Sequence, residues 1–218
     1  MHRLLSIGLA ACFLAGCAGT NATSSSQTDT AALEALYWAR LDSAKQSFTE
    51  ADVAFMTGMI GHHAQALIMA RMAPDQAMST QVRTLAARII NAQDDEIASM
   101  QRWLRDRDQP VPEGNIDGTK LMLHGAGDHS MMPGMLSVEQ LNELAASSGP
   151  EFDRLFLTYM IQHHQGAVSM VDDLFDKDGA GQDEAAFKLS SDIHVDQITE
   201  IARMRRMLDS LFPTTLER

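Results

Sequence analysis

Cysteine is nearly absent from this chain. The 218 residues contain two, Cys12 and Cys17, both at the very N-terminus. Everything after Cys17 therefore lacks a disulfide, a thiolate zinc site and a cysteine nucleophile. Positive charge is scarce too: 17 Lys and Arg stand against 29 Asp and Glu, a formal charge of −12. With no basic stripe to neutralise phosphates, nucleic acid is excluded as a partner. Beyond the first twenty residues no run of 18 apolar side chains occurs, so no later segment reads as a membrane span. No alternating Val/Ile/Thr run suggests a sheet. The 45% hydrophobic content still suffices for a sizeable core. What stands in excess is 15 methionines and 8 histidines, beside two Trp and two Tyr. Methionine at that level is either soft core filler or ligand chemistry.

The first residues read as an address. His2 and Arg3 precede an apolar run from Leu4 to Ala15, followed by Gly16 and Cys17. A charged start, a short apolar stretch and small residues describe a secretion signal over 1–16. Leu14-Ala15-Gly16-Cys17 resembles the lipobox of bacterial lipoproteins, in which cleavage precedes a cysteine that carries lipid. The alternative is a plain signal peptide with Cys17 incidental. On the lipobox reading Cys17 anchors the chain to the bilayer of the cell envelope, facing the periplasm, and Ala18 favours the outer membrane. Residues 17–30, rich in Ser and Thr, read as a flexible tether.

The body repeats itself. Asp52–Met69 (DVAFMTGMIGHHAQALIM) aligns without gaps on Asp153–Met170 (DRLFLTYMIQHHQGAVSM), with nine of 18 positions identical. A second stretch, Ile89–Leu104, aligns on Ile193–Leu208 with eight of 16 identical, including Gln93/Gln197, Glu96/Glu200 and Met100/Met204. All four arms space their apolar residues at three and four, as helices do. Thr49 with Asp52, and Gly149-Pro150, suit helix starts; Pro74 and Gly179 suit ends. Leu33–Phe48 reads as a further helix leading in. Ser137-x-x-Gln140 is a capping box opening a short helix at 138–146. Two helix pairs, each with one apolar stripe, bury those stripes best against each other. The expected architecture is all-α: one four-helix bundle domain over 31–212, with repeat halves at about 50–106 and 151–210.

The histidine pairs occupy the retained stripes. His62 shares a helix face with Met59 and Met69, and His163 shares one with Met160 and Met170. His63 and His164 fall about 100° round. An imidazole flanked by thioethers, with no cysteine near, points to copper more than zinc. The competing interpretation is a hydrogen-bonded core histidine among space-filling methionines. Retention of both histidines and both methionines through a half-diverged duplication favours ligands. Gln93/Glu96 and Gln197/Glu200 either orient the imidazoles or solvate a bundle end. Between the halves, residues 122–135 read MLHGAGDHSMMPGM and carry His124, His129, Met131, Met132 and Met135. A flexible segment has no packing reason to hold such methionines, so this cluster is either a second, more exposed ligand set or a hydrophobic lid.

The pattern FD-x-x-F-x-x-x-MI-x-HH-x-GA-x-x-M at 152–170, with MMPGMLS at 131–137 and QITEIARMRRML at 197–208, resembles the bacterial domain of unknown function 305 family. The likeness extends over about residues 50–210, and both halves carry it. The first half departs in placing Gly61, Ala64 and Gln65 where the second has Gln162, Gln165 and Gly166. The resemblance implies a ferritin-like four-helix bundle in an exported protein, with members implicated in copper binding and tolerance. The expected function is metal handling without catalysis: Cu(I) or Cu(II) bound for buffering, tolerance or delivery to copper-handling envelope proteins. A di-metal redox enzyme is the rival from another class. Ferritin-like di-iron sites use Glu-x-x-His, and Met or Ile stands three residues before each of the four histidines. A third possibility is an envelope interaction module with structural histidines. If imidazole dominates the site, protons should displace metal between roughly pH 7 and 5.

Overall fold

The computed structural model describes residues 22–45, 47–124 and 132–213. Among the described residues there are six helices: α1 (Ala22–Lys45), α2 (Glu50–Gln76), α3 (Thr80–Arg105), α4 (Val138–Ala146), α5 (Gly149–Phe175) and α6 (Glu184–Leu211). Two short strands, β1 (Glu113–Asp117) and β2 (Lys120–His124), form an antiparallel hairpin between α3 and α4. The fold is all-α, as the periodicity requires, with this hairpin as an unanticipated addition.

The chain divides into two units, Met1–Leu41 and Asp42–Arg218. In the first, Leu33, Leu36, Tyr37 and Trp38 are exposed. Helix α1 begins at Ala22, inside the segment whose composition suggests a tether. Cys17 and the secretion signal lie outside the described residues.

The second unit is the bundle. α2 pairs with α3 and α5 with α6; the two hairpins meet through α2 against α5 and α3 against α6. Its helix starts follow the sequence. Thr49 and Asp52 close a capping box at α2, and Ser137 with Gln140 closes one at α4. Such caps satisfy amide groups that the first helical turn leaves free. Pro74 does not end α2, which runs on to Gln76. A proline this near the C-terminus forfeits one helical hydrogen bond, and the remaining turn absorbs that loss.

The duplicated aspartates explain their own retention. Besides its capping role, Asp52 accepts a hydrogen bond from Gly181 N at 2.7 Å, just ahead of α6. Its counterpart Asp153 accepts one from Ser79 N at 2.8 Å, just ahead of α3. Each half thus ties the start of its first arm to the loop preceding the other half's second arm.

The core falls into two apolar clusters. One gathers the C-terminal half of α2 with the N-terminal half of α5, including Met69, Phe152, Phe156 and Met160. The other gathers the opposite ends, including Phe55, Met59, Met100, Trp103 and Leu174. That division makes α2 and α5 antiparallel and leaves a polar layer between the clusters.

Candidate metal centre

The polar layer is where the sequence motifs converge. His62, His63, His163 and His164 are fully buried. So are Gln93 and Gln197, at 1% and 2% exposure. Burying six polar side chains in mid-bundle is costly unless each finds a partner.

Three of the imidazoles have one partner apiece. His62 Nε2 lies 3.0 Å from the Pro133 carbonyl. A carbonyl only accepts, so Nε2 carries the proton in that bond. His63 Nε2 donates to Glu96 at 2.6 Å, and His164 Nε2 donates to Glu200 at 2.7 Å. The other ring nitrogen, Nδ1, is buried and unpartnered in His62, His63 and His164. In His163 both ring nitrogens are unpartnered. Hydrogen bonding of one nitrogen fixes the tautomer and aims the other, the arrangement seen behind metal-bound histidines. Glu96 and Glu200 therefore orient imidazoles; they do not cap a bundle end.

The His62 and His163 rings pack against each other, tilted by 39°, with centroids 3.8 Å apart. His164 stands 6.2 Å from His163. Two protonated rings cannot share such a space. Burial above all, then the nearby His63, holds the His62 pKa down at about 3, against the opposing Pro133 bond. The His163 pKa is held well below its usual value by burial, then by His62, His164 and His63. Both rings are neutral at neutral pH, the form in which they can bind metal.

The thioethers bound this layer. Met59 and Met160, each three residues before the first histidine of its pair, are fully buried in opposite clusters. Met69 is fully buried and Met170 partly so; each lies about 10 Å along its helix from the histidine seven residues before it. Among the described residues, no three or more His, Cys, Asp or Glu side chains are grouped to hold an ion by themselves. A metal bound here would draw on sulfur as well as nitrogen.

The Met/His-rich segment does not lie apart from the bundle. His124 ends β2; His129 and Met131 fall outside the described residues. Met132 and Met135 are half-buried, and the stretch from Met132 to Leu136 is docked beside His62. Gln65 clamps it, donating to Leu136 O at 3.1 Å and accepting from Leu136 N at 2.8 Å. Gly166, the repeat counterpart of Gln65, lets the backbone of Pro133 and Gly134 press onto α5. At Gly134, with φ +75°, an added Cβ would meet Gln162 O at 2.6 Å. The two halves thus diverge at positions 65 and 166 because both hold one loop, by different means. Met132 Sδ and Met170 Cε both lie against Gly58, where the second half has Tyr159. The structure therefore lays Met132 against α2 beside Gly58, as the lid alternative has it for that residue.

Sequence reasoning missed Gly58, Gln65, Pro133 and Gly166 as parts of this site. The departures at 65 and 166 were a usable signal, since a glycine facing a clamp residue marks a close backbone approach.

A four-helix bundle of two duplicated helix pairs, with a buried histidine layer between methionine-bearing clusters, defines the class of protein. A family model described as a domain of unknown function, DUF305, matches residues 52–208, and the chain belongs to that family. No curated protein matches it. Solved structures do. A DUF305 fragment from Deinococcus radiodurans is 31% identical, covers 75% of this chain and 98% of its own, and superposes with a TM-score of 0.62. CopM in its Cu(II)-bound form is 31% identical over 74% of this chain and 97% of its own, with a TM-score of 0.56. CopM has also been solved with Cu(I) and with silver. A DUF305 protein from Streptomyces coelicolor shares the fold at 22% identity and a TM-score of 0.63.

Proposed function

We propose that this protein binds copper in the layer between α2 and α5, and buffers or hands on the ion without catalysis. One observation carries the reading: four buried histidines offer unpartnered ring nitrogens, with methionines at three and seven residues along the same helices. Isolated imidazole nitrogens in an apolar core are unfavourable for the protein alone and become favourable with a metal bound. His62, His63, His163 and His164 are the nitrogen ligands, and Met59, Met69, Met132, Met160 and Met170 are the sulfur donors. His124, His129, Met131 and Met135 extend the donor set along the loop. Soft thioethers favour Cu(I), and imidazole accepts either oxidation state. The likeness to CopM, solved with Cu(I), Cu(II) and silver, supports a soft-metal site on this fold.

The same proposal places the protein in the cell envelope, held by lipid on Cys17. The Leu14–Cys17 motif supports this, and among the described residues no helix is long and apolar enough to cross a membrane. Metal analysis of protein purified from the envelope without added metal tests the function. Bound copper supports it; paired iron would point to a redox enzyme, and absence of metal to an interaction module. Cys17→Ser should release the protein from membranes without detergent, and continued membrane fractionation would overturn the anchor.

A further inference from the structure

Where the N-terminal half of α3 meets the C-terminal half of α6, a cavity of about 480 Å³ opens to solvent. Three guanidinium groups line it, Arg88 from α3 with Arg203 and Arg206 from α6. Among the described residues no Asp or Glu lines it. Arg71, Arg107 and Arg154, by contrast, pair with Asp94, Asp183 and Glu151. The side chains of Arg88, Arg203 and Arg206 make no hydrogen bond or ion pair among the described residues. Arg88 and Arg203 also border the neighbouring cleft that holds Glu96, Asp196 and Glu200, yet neither reaches a carboxylate there. Arg206 lines the larger cavity and not that cleft. In a chain of net charge −12, three unpaired positive groups in one concavity run against the composition. Like charges so placed repel, and an anion seated among them removes the repulsion.

We propose that this cavity binds a phosphate group carried on a small organic body. The guanidinium fork takes phosphate oxygens two at a time, so three forks suit a group with several acceptor oxygens. Neutral donors stand beside them. Thr80 Oγ1 already accepts from Arg83 at 3.0 Å, which leaves its own proton to donate. The Gln81 side-chain amide and the Ser210 hydroxyl line the cavity without partners of their own. Thr80 and Gln81 also open α3, so the positive end of that 26-residue helix lies at the same place. Size and floor favour an ester over the bare ion. The volume falls within the range of about 300–1,000 Å³ usual for small-molecule sites. Leu85 and Met207, both buried, give the cavity an apolar floor on which an organic body can rest. Three arginines fall well short of the basic stripe that a nucleic-acid backbone requires, so that exclusion stands. The site is separate from the histidine layer, since Arg88 lies about 12 Å along α3 from Glu96. It neither needs copper nor shares its ligands.

The probes are phenyl phosphate, inorganic phosphate and phosphatidylglycerol vesicles, with zwitterionic phosphatidylcholine vesicles as reference. Each is added to the chelator-treated full chain carrying Cys17→Ser, so that no lipid anchor intervenes. Phenyl phosphate should bind saturably by calorimetry, at least five-fold tighter than inorganic phosphate. Arg88→Gln combined with Arg206→Gln should weaken it at least ten-fold with helix content unchanged. Arg205→Gln, which removes an equal charge from α6 outside the cavity, should leave affinity within two-fold. So should His62→Ala combined with His163→Ala. Binding to phosphatidylglycerol vesicles that disappears in the Arg88/Arg206 variant supports the site with a lipid headgroup as its source. Binding of phenyl phosphate without vesicles supports it with a soluble ester. If neither phenyl phosphate nor the vesicles bind, or the Arg88/Arg206 variant binds as wild type does, the site is overturned. An equal loss in Arg205→Gln overturns it as well, since bulk charge then suffices. Equal affinity for inorganic and phenyl phosphate overturns the organic body.

Discussion

His62 and His163, the same position of the two repeats, pack against one another with ring centroids 3.8 Å apart and planes tilted by 39°. A residue that meets its own repeat counterpart lies on the local twofold relating the halves. The duplication therefore builds one shared layer, not two separate half-sites. Everything else in the layer follows as pairs about that axis: His63 with Glu96 and His164 with Glu200. The loop is the exception. It comes from one place in the chain and can dock only once, which is why Gln65 and Gly166 could no longer remain alike.

Removing one of these paired histidines should strengthen the metal-free protein. His163 is fully buried with both ring nitrogens unpartnered, so the core bears an unsatisfied polar group. Such a group costs about 1–3 kcal/mol. Leucine fills similar space without it. His163→Leu should raise the unfolding free energy of the chelator-treated protein by an amount of that order in urea titrations. The same variant should lose most of its copper. A destabilised His163→Leu would mean the ring has a structural role.

The loop dock can be opened from either side. A Cβ on Gly166 would fall inside the Pro133 carbonyl, so Gly166→Ala must push Pro133 and Gly134 away. Overpacking of this kind costs about 1–3 kcal/mol. Gln65→Leu instead strips partners from the Leu136 N–H and C=O, again at about 1–3 kcal/mol. Both variants should raise amide exchange and protease cleavage at 132–136 while helix content holds. Wild-type protection in Gly166→Ala would show that the loop is held elsewhere.

The twin aspartates should differ in weight. Asp52 accepts from Gly181 N and also from both the backbone and hydroxyl of Thr49. Asp153 accepts from Ser79 N, and its Oδ1 is buried without a partner. Loss of a helix cap costs about 0.5–2 kcal/mol. Asp52→Ala should therefore destabilise more than Asp153→Ala. The Asp153 carboxyl is pushed up by burial, so Asp153→Asn, which gives up charge and keeps the acceptor, should be nearly silent. Chemical denaturation of the three variants decides it, and equal losses at 52 and 153 would refute the asymmetry.

Sequence periodicity revealed the four arms, their caps and the histidine pairs, because those signals are local or repeat themselves. The short helix at 138–146 was legible down to its ends, through the Ser137/Gln140 box. The hairpin was not, since Glu113–His124 holds no run of alternating β-branched residues. Asp117-Gly118, with Gly118 at φ +58°, was the available cue. The dock of 132–136 was beyond reach for another reason. It depends on partners about 70 positions away, Gln65 on Leu136 and His62 on Pro133, and neither pairing leaves a spacing to read.

Acid should act on this protein differently from the expectation for ordinary imidazoles. An unperturbed histidine titrates near 6.5, and sites built of such groups lose metal as the pH falls through that value. His62 is held at about 3, and His163 is likewise held well below its usual value. For the metal-free protein the sign follows from linkage. Below about pH 6.5 the unfolded chain takes up protons that the folded one refuses, so the unfolded state gains. Stability is fully present above the unfolded pKa and falls with pH, by about 1.4 kcal/mol per pH unit for each such histidine, until the folded pKa is reached. For His62 that window runs from about 6.5 to 3. For the loaded protein the same shift weakens proton competition, since a nitrogen that resists protonation stays available to the metal. Copper should be retained to well below pH 5, and release should coincide with acid unfolding, not precede it. The measurement is copper retained after dialysis across pH 7 to 3, beside the circular dichroism of both forms. Release centred near pH 6.5 with the helices intact would show that solvent-exposed imidazoles hold the metal and that the buried layer does not.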